Sequence, residues 1–125
     1  MAKSGKKKVF LVTGAASGIG AAAIRLLLAD GAQVCAADVQ VIGIDGIARK
    51  HLDNLTTIGC DVSKEADCTR AVTRTVNAFG GLDGVLHFAG IHSVKSWEEL
   101  DADEFAKLYA VNVIGSFLIT KAAGQ

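Results

Sequence analysis

The chain has 125 residues, 50% of them hydrophobic, with 14 glycines, no proline, and 13 basic side chains balanced by 13 acidic ones. That length supports one domain with a real core but is short for a complete dinucleotide-binding enzyme. Zero net charge gives no reason to expect nucleic acid or an anionic membrane as partner, and no apolar run approaches a membrane span.

Residues 1–8 carry a lysine run and are expected to form a basic, flexible tail; the apolar run behind them is too short for a signal peptide. A single domain is expected over residues 9–125. The first strand falls at about 8–13, a helix at about 18–29, a second strand at 33–38, a short helix at about 45–52 and a third strand at 56–61. The first helix carries an apolar stripe of Ile19, Ala23, Ile24 and Leu27 and stops at Asp30-Gly31. Ser63 is the expected N-cap of the next helix, with Glu65 and Asp67 in its first turn. Ala71, Val72, Thr75, Val76 and Phe79 form the apolar side of that helix, and Gly80-Gly81 ends it.

A fourth strand is expected at 82–88. Asp101 and Glu104 have capping-box spacing ahead of a long helix over about 102–123, in which Phe105, Leu108 and Phe117 read as core. Strands separated by helices imply right-handed crossovers and a parallel sheet, with expected order 3-2-1-4. The odd set Cys35, Cys60 and Cys68 lacks metal-ligand spacing and reads as reduced and mostly buried in a cytosolic protein.

The chemistry is concentrated in Thr13-Gly14-Ala15-Ala16-Ser17-Gly18-Ile19-Gly20, directly behind the first strand. A strand ending in a glycine-rich turn that opens a helix lets backbone N–H groups approach a pyrophosphate, with the helix dipole in support. Asp38 lies 18 residues after Gly20, at the end of the second strand. A carboxylate there can accept hydrogen bonds from both adenosine ribose hydroxyls and would repel a 2′-phosphate, which argues for NAD over NADP. The bland alternative is that Asp38 merely ends a strand.

The spacing Gly14-x-x-x-Gly18-x-Gly20 resembles the short-chain dehydrogenase/reductase family, whose cofactor turn reads T-G-x-x-x-G-I-G. The resemblance extends along nearly the whole chain behind the tail. It places Thr13, Gly14, Ser17, Gly18, Ile19 and Gly20 at the cofactor phosphates and Asp38 at the ribose. Asp61-Val62 falls where the family binds the adenine amino group, and His87, Ala89 and Gly90 fall where it lines the cofactor ribose. Asn112, within Val111-Asn112-Val113, falls at the family's active-site Asn, a support for a water and proton relay. The implied fold is a Rossmann-type doubly wound sheet in three α/β/α layers, ending after strand four and its helix. The implied activity is NAD-dependent interconversion of a small-molecule alcohol and a ketone by hydride transfer, in a homo-oligomer with no metal.

Two departures stand out. His87-Phe88 replaces the Asn-Asn of the family's N-N-A-G segment, so His87 reads as a local substitute that packs or hydrogen-bonds near the cofactor, with a catalytic base as the other reading. The catalytic Ser and Tyr-x-x-x-Lys are not among these 125 residues: Tyr109 is followed at the fourth position by Val113, and Lys121 lies twelve positions on, about 18 Å along a helix. The expectation is therefore a cofactor-binding N-terminal part, inactive alone. The alternative is a non-catalytic NAD-binding or assembly module.

Overall fold

The computed structural model describes residues 5–41, 45–48 and 50–125. Its elements are β1 (Val9–Thr13), α1 (Gly18–Ala29), β2 (Gln33–Asp38), α2 (Asp45–Ala48), β3 (Leu55–Gly59), α3 (Glu65–Phe79), β4 (Gly84–His87), α4 (Ala102–Tyr109), a π-helical turn (Ala110–Ile114) and α5 (Gly115–Ala123). The four strands form one sheet in the order β3-β2-β1-β4, and every pairing is parallel. The expected strand order is therefore the observed one.

Side-chain alternation divides the sheet into two covered faces. Leu11, Cys35 and Ala37 face one cluster with Cys68 and Ala71 of α3 and Leu118 and Ile119 of α5. Val12, Val34 and Ala36 face the other with Ile24 and Leu28 of α1 and Ile47 of α2. Covering on both faces explains why β1 and β2 read as continuous apolar runs rather than alternating ones.

Several local expectations are corrected. The buried face of α1 is Gly20, Ala21, Ile24 and Leu28, and Ile19 is 71% exposed. The helix sits so close to the turn that a Cβ at Gly20 would overlap the Gly14 carbonyl, and this approach turns the expected stripe by one residue. Ser63 does not cap α3: Lys64 occupies the cap position, while the Ser63 hydroxyl donates to Asp61 Oδ1 at 2.6 Å. The Ser63 N–H donates to the same carboxylate oxygen at 3.0 Å, so Ser63 closes a local turn onto Asp61 one residue ahead of the cap. The short helix is described over Asp45–Ala48; residue 49 of the expected region lies outside the described set, and residues 50–52 are not helical. Residues 1–4 of the expected tail also lie outside it; of the rest, the Lys7 ammonium donates to Asn54 Oδ1 at 3.0 Å and the Lys8 carbonyl accepts from Gln33 N–H at 2.9 Å.

The last helix is capped by Asp101, whose Oδ1 accepts from Glu104 N–H at 2.8 Å. The reciprocal arm of a capping box is not made, because the Glu104 carboxylate accepts from the Ser93 hydroxyl and pairs with Lys95. Phe105 and Phe117 are exposed (56% and 63%) rather than core. Beyond the π turn the helix packs through Gly115, where a Cβ would lie 2.7 Å from Val62 Cγ2, and through Leu118 and Ile119. Trp97 is exposed in the preceding loop.

Candidate functional site

A cleft of about 600 Å³ opens where the chain leaves the C-terminal ends of the strands. Open parallel sheets offer their binding crevice at this edge, because the strand-to-helix turns converge there. Ten of the sequence-predicted residues line it: Thr13, Gly14, Ser17, Gly18, Ile19, Asp38, Asp61, Val62, Ala89 and Gly90. Gly20, His87 and Asn112 are not on the lining. Each touches a residue that is: Gly20 packs on Gly14, His87 meets Thr13, and Asn112 bonds Ile91.

The glycine turn is shaped by two different demands. Gly14 has φ 66°, and a Cβ there would lie 2.7–2.8 Å from the backbone of Phe88 and Ala89. It is required for both conformation and space. Gly18 has φ 55° with open space around it, so its demand is conformational alone. Ser17, at the cap of α1, makes no side-chain cap bond, so the first N–H groups of the helix lack that partner.

The acids are anchored by backbone donors. Asp38 Oδ2 accepts from Ala16 N–H at 3.0 Å and Oδ1 from Gln40 N–H at 2.9 Å, which fastens the end of β2 to the glycine turn. An ionised carboxylate has about four lone-pair sites, so these two bonds leave acceptor capacity for further donors. Asp61 Oδ1 accepts from both the hydroxyl and the N–H of Ser63. The Ser63 hydroxyl bond is the main cause that holds the Asp61 carboxyl below its usual value, with Lys64 and Lys107 adding positive charge.

Behind the cleft, His87 joins two elements. Its Nδ1 lies 2.6 Å from Thr13 Oγ1 and its Nε2 3.1 Å from Ser116 Oγ. Ala89 N–H donates to the same Thr13 oxygen at 3.3 Å. Asn112, inside the π turn, closes a two-way bond with the backbone of Ile91: Oδ1 accepts from Ile91 N–H at 2.9 Å and Nδ2 donates to Ile91 O at 2.7 Å. π turns often mark functional positions, and here the wider turn carries the Asn112 side chain across to the loop.

Sequence reasoning missed Ala37, Val39, Cys60, Phe88, Ile91, Lys107 and Val111 on the lining. Most are neighbours of residues it did name. Lys107 and Val111 are one helical turn apart, and nothing in their local sequence announces the cleft. Burial first, and the adjacent Cys68 thiol second, push the Cys60 thiol up to about 12. A thiol so disposed stays protonated at neutral pH and is no nucleophile. Among the described residues no three His, Cys, Asp or Glu side chains gather as a metal site, and no helix is long and apolar enough to cross a membrane. Tyr109 is half exposed, and the Lys121 ammonium is paired with Glu65 at 2.6 Å.

A family model described as short chain dehydrogenase matches residues 8–125. The chain belongs to the short-chain dehydrogenase family. Its similarity to a borneol dehydrogenase from Lavandula x intermedia is 40% identity over 122 residues, covering 94% of this chain and 46% of that one. An L-fucose dehydrogenase from Bos taurus is 36% identical over 117 residues, covering 93% of this chain and 43% of that one. Among solved structures, a short-chain dehydrogenase/reductase (glucose/ribitol dehydrogenase) from Brucella melitensis superposes with a TM-score of 0.89 at 29% identity, covering 94% of this chain and 51% of the other. A 3-ketoacyl-(acyl-carrier-protein) reductase from the same organism, solved with NADH, gives 0.85 at 32% identity, covering 93% and 48%. This member of the short-chain dehydrogenase family thus spans about half the length of the relatives it matches.

Proposed function

We propose that this chain binds the adenosine and pyrophosphate part of NAD, as the cofactor-binding portion of an oxidoreductase that interconverts an alcohol and a ketone. The observation that carries this reading is Asp38, fixed to the turn through Ala16 N–H at the rim of the cleft. The donor set fits such a cofactor. Gly14 and Gly18 keep the turn free of side chains, the helix N-terminus offers N–H groups to a diphosphate, and Asp38 has lone pairs left for two ribose hydroxyls. Bound there, NAD supplies the hydride chemistry.

The chain's own residues then act as holders. Thr13, Gly14, Ser17, Gly18 and Ile19 cradle the phosphates, Gly20 lets the helix sit close against Gly14, Asp38 takes the ribose, and Asp61 and Val62 take the adenine. Ala89 and Gly90 line the cofactor ribose, with His87 bonded to Thr13 beside them. Asn112 stands at the relay position, with its side chain committed to Ile91. A proton must also move on the substrate oxygen, and none of these groups is placed to move it. Three free, buried cysteines suit a reducing compartment such as the cytoplasm.

Fluorescence titration tests the cofactor reading. NADH is expected to bind at least about tenfold more tightly than NADPH, a difference of about 1.4 kcal/mol, and the chain alone is expected to show no turnover of alcohols or ketones. Equal affinities would refute the NAD preference, binding of neither would refute the cofactor reading, and robust turnover would refute inactivity. The second reading is a non-catalytic NAD-binding module, in which the same cleft residues hold the cofactor. A reading frame that continues into a Ser-bearing strand and Tyr-x-x-x-Lys would exclude it.

Phe105, Tyr109, Val113 and Phe117 recur every fourth residue along the last helix, each about half exposed or more. An apolar row of this kind favours association. A homo-oligomer is expected in sedimentation velocity, and a monomer throughout the micromolar range counts against it.

A further inference from the structure

The His87 ring is a titratable group that the proposed chemistry does not use. It is half-buried, and its two nitrogens meet hydroxyls on two different elements: Thr13 at the end of β1 and Ser116 at the start of α5. The surrounding bonds decide which nitrogen carries the proton. The Ser116 hydroxyl donates to the Asn112 carbonyl at 2.8 Å. Its oxygen is therefore left to accept, and His87 Nε2 must be the N–H that donates to it. Nδ1 then accepts from the Thr13 hydroxyl, whose own oxygen accepts from Ala89 N–H. One neutral tautomer satisfies every donor and acceptor in this chain of bonds.

We infer that His87 is a positioning residue: its neutral ring locks the cofactor turn at Thr13 to the helix that carries Asn112, and protonation opens the lock and weakens cofactor binding. This rests on the cofactor reading above. A proton on Nδ1 turns that nitrogen into a donor facing Thr13 Oγ1. The Thr13 hydroxyl proton then loses its acceptor in a site only 1% exposed, where an unmade hydrogen bond is costly. The strain falls directly on the cleft. Phe88 N–H donates to the Thr13 carbonyl at 3.2 Å, and Phe88 and Ala89 are the backbone against which Gly14 is packed.

The groups that meet the ring, Thr13 from β1 and Ser116 from α5, are neutral. Burial alone lowers the His87 pKa, with no charged neighbour contributing. The sign follows. The unfolded ring takes up its proton near 6.5 and the native ring at lower pH, so stability is full above 6.5 and declines as pH falls through the interval, while cofactor affinity, set by the native ring, declines only as pH falls through the native value.

Two measurements test this on the 125-residue chain. Nitrogen-detected NMR of the ring is expected to show a neutral Nε2–H tautomer titrating below 6.5. The NADH dissociation constant is expected to be flat from about pH 8 down to the native value and then to rise, approaching about tenfold per pH unit. In His87→Asn that rise is expected to vanish. NADH affinity in the parent chain as flat with pH as in His87→Asn overturns the inference. So does an Nδ1–H ring, or one titrating at or above 6.5, and the NMR readout needs no variant to fold. Failure to bind NADH at every pH overturns the cofactor reading instead, and the ring's tautomer and titration then decide the lock by themselves.

Discussion

Gly14→Ala is expected to destabilise the chain by about 3 kcal/mol or more and to abolish detectable NADH binding. Two effects add. The residue sits at φ 66°, where a side chain costs about 1–2 kcal/mol. The new Cβ would also lie 2.7–2.8 Å from the backbone of Phe88 and Ala89, and overpacking against backbone costs about 1–3 kcal/mol. Backbone cannot rotate aside as a side-chain end can, so β4 must move away from β1 or the turn must change shape. Against a total stability of about 5–15 kcal/mol this is a large fraction. Urea unfolding followed by circular dichroism measures it. Gly18→Ala is the control, because its positive φ comes with open space and only the conformational part is expected. A Gly14→Ala midpoint equal to the parent's would overturn the close-approach argument.

The second large effect is expected at Asp38. Asp38→Ala removes two carboxylate–backbone bonds, each a charge-assisted contact of about 1.5–3 kcal/mol, and frees Ala16 N–H within the turn. NADH affinity is expected to fall by about 10–100-fold, equivalent to about 1.4–2.7 kcal/mol. NADPH affinity is expected to fall less, because the repulsion between the carboxylate and a 2′-phosphate disappears with the charge. The preference between the two cofactors should therefore collapse. Asp38→Asn removes the charge and keeps at most one of the two backbone bonds, since its amide nitrogen cannot accept from the other donor. Parallel titrations with both cofactors read this out. An unchanged NADH-to-NADPH ratio in Asp38→Ala would show that Asp38 serves only to fasten the turn.

Much of this was legible in the chain itself. The Gly14, Gly18 and Gly20 spacing, the acid at position 38, the Asp61-Val62 pair and Ala89-Gly90 are local signals, each tied to a turn at the end of a strand. All but Gly20, which packs the helix onto the turn, converge on one cleft because parallel strands deliver their C-terminal turns to the same edge. The apolar periodicity of the last helix gave its length but not its outward face. Phe105 and Phe117 look like core residues in a linear pattern, yet the π turn and the close seat of Gly115 on Val62 decide which side meets α3.

By itself, then, the sequence determined the parallel sheet and its strand order, the glycine turn behind the first strand and the acid at the end of the second, because these depend on residues near one another or on the topology of strand–helix alternation. Only the tertiary structure decided what the departure His87-Phe88 does. A histidine at the end of a strand is chemically ambiguous until its neighbours are known. Thr13, 74 positions away in the chain, and Ser116, 29 positions away, fix one tautomer and make the ring a link between the turn and the helix. Lys107 and Val111 join the cleft for the same reason. Their place is set by where the last helix crosses the sheet edge, and no spacing within the helix encodes that crossing.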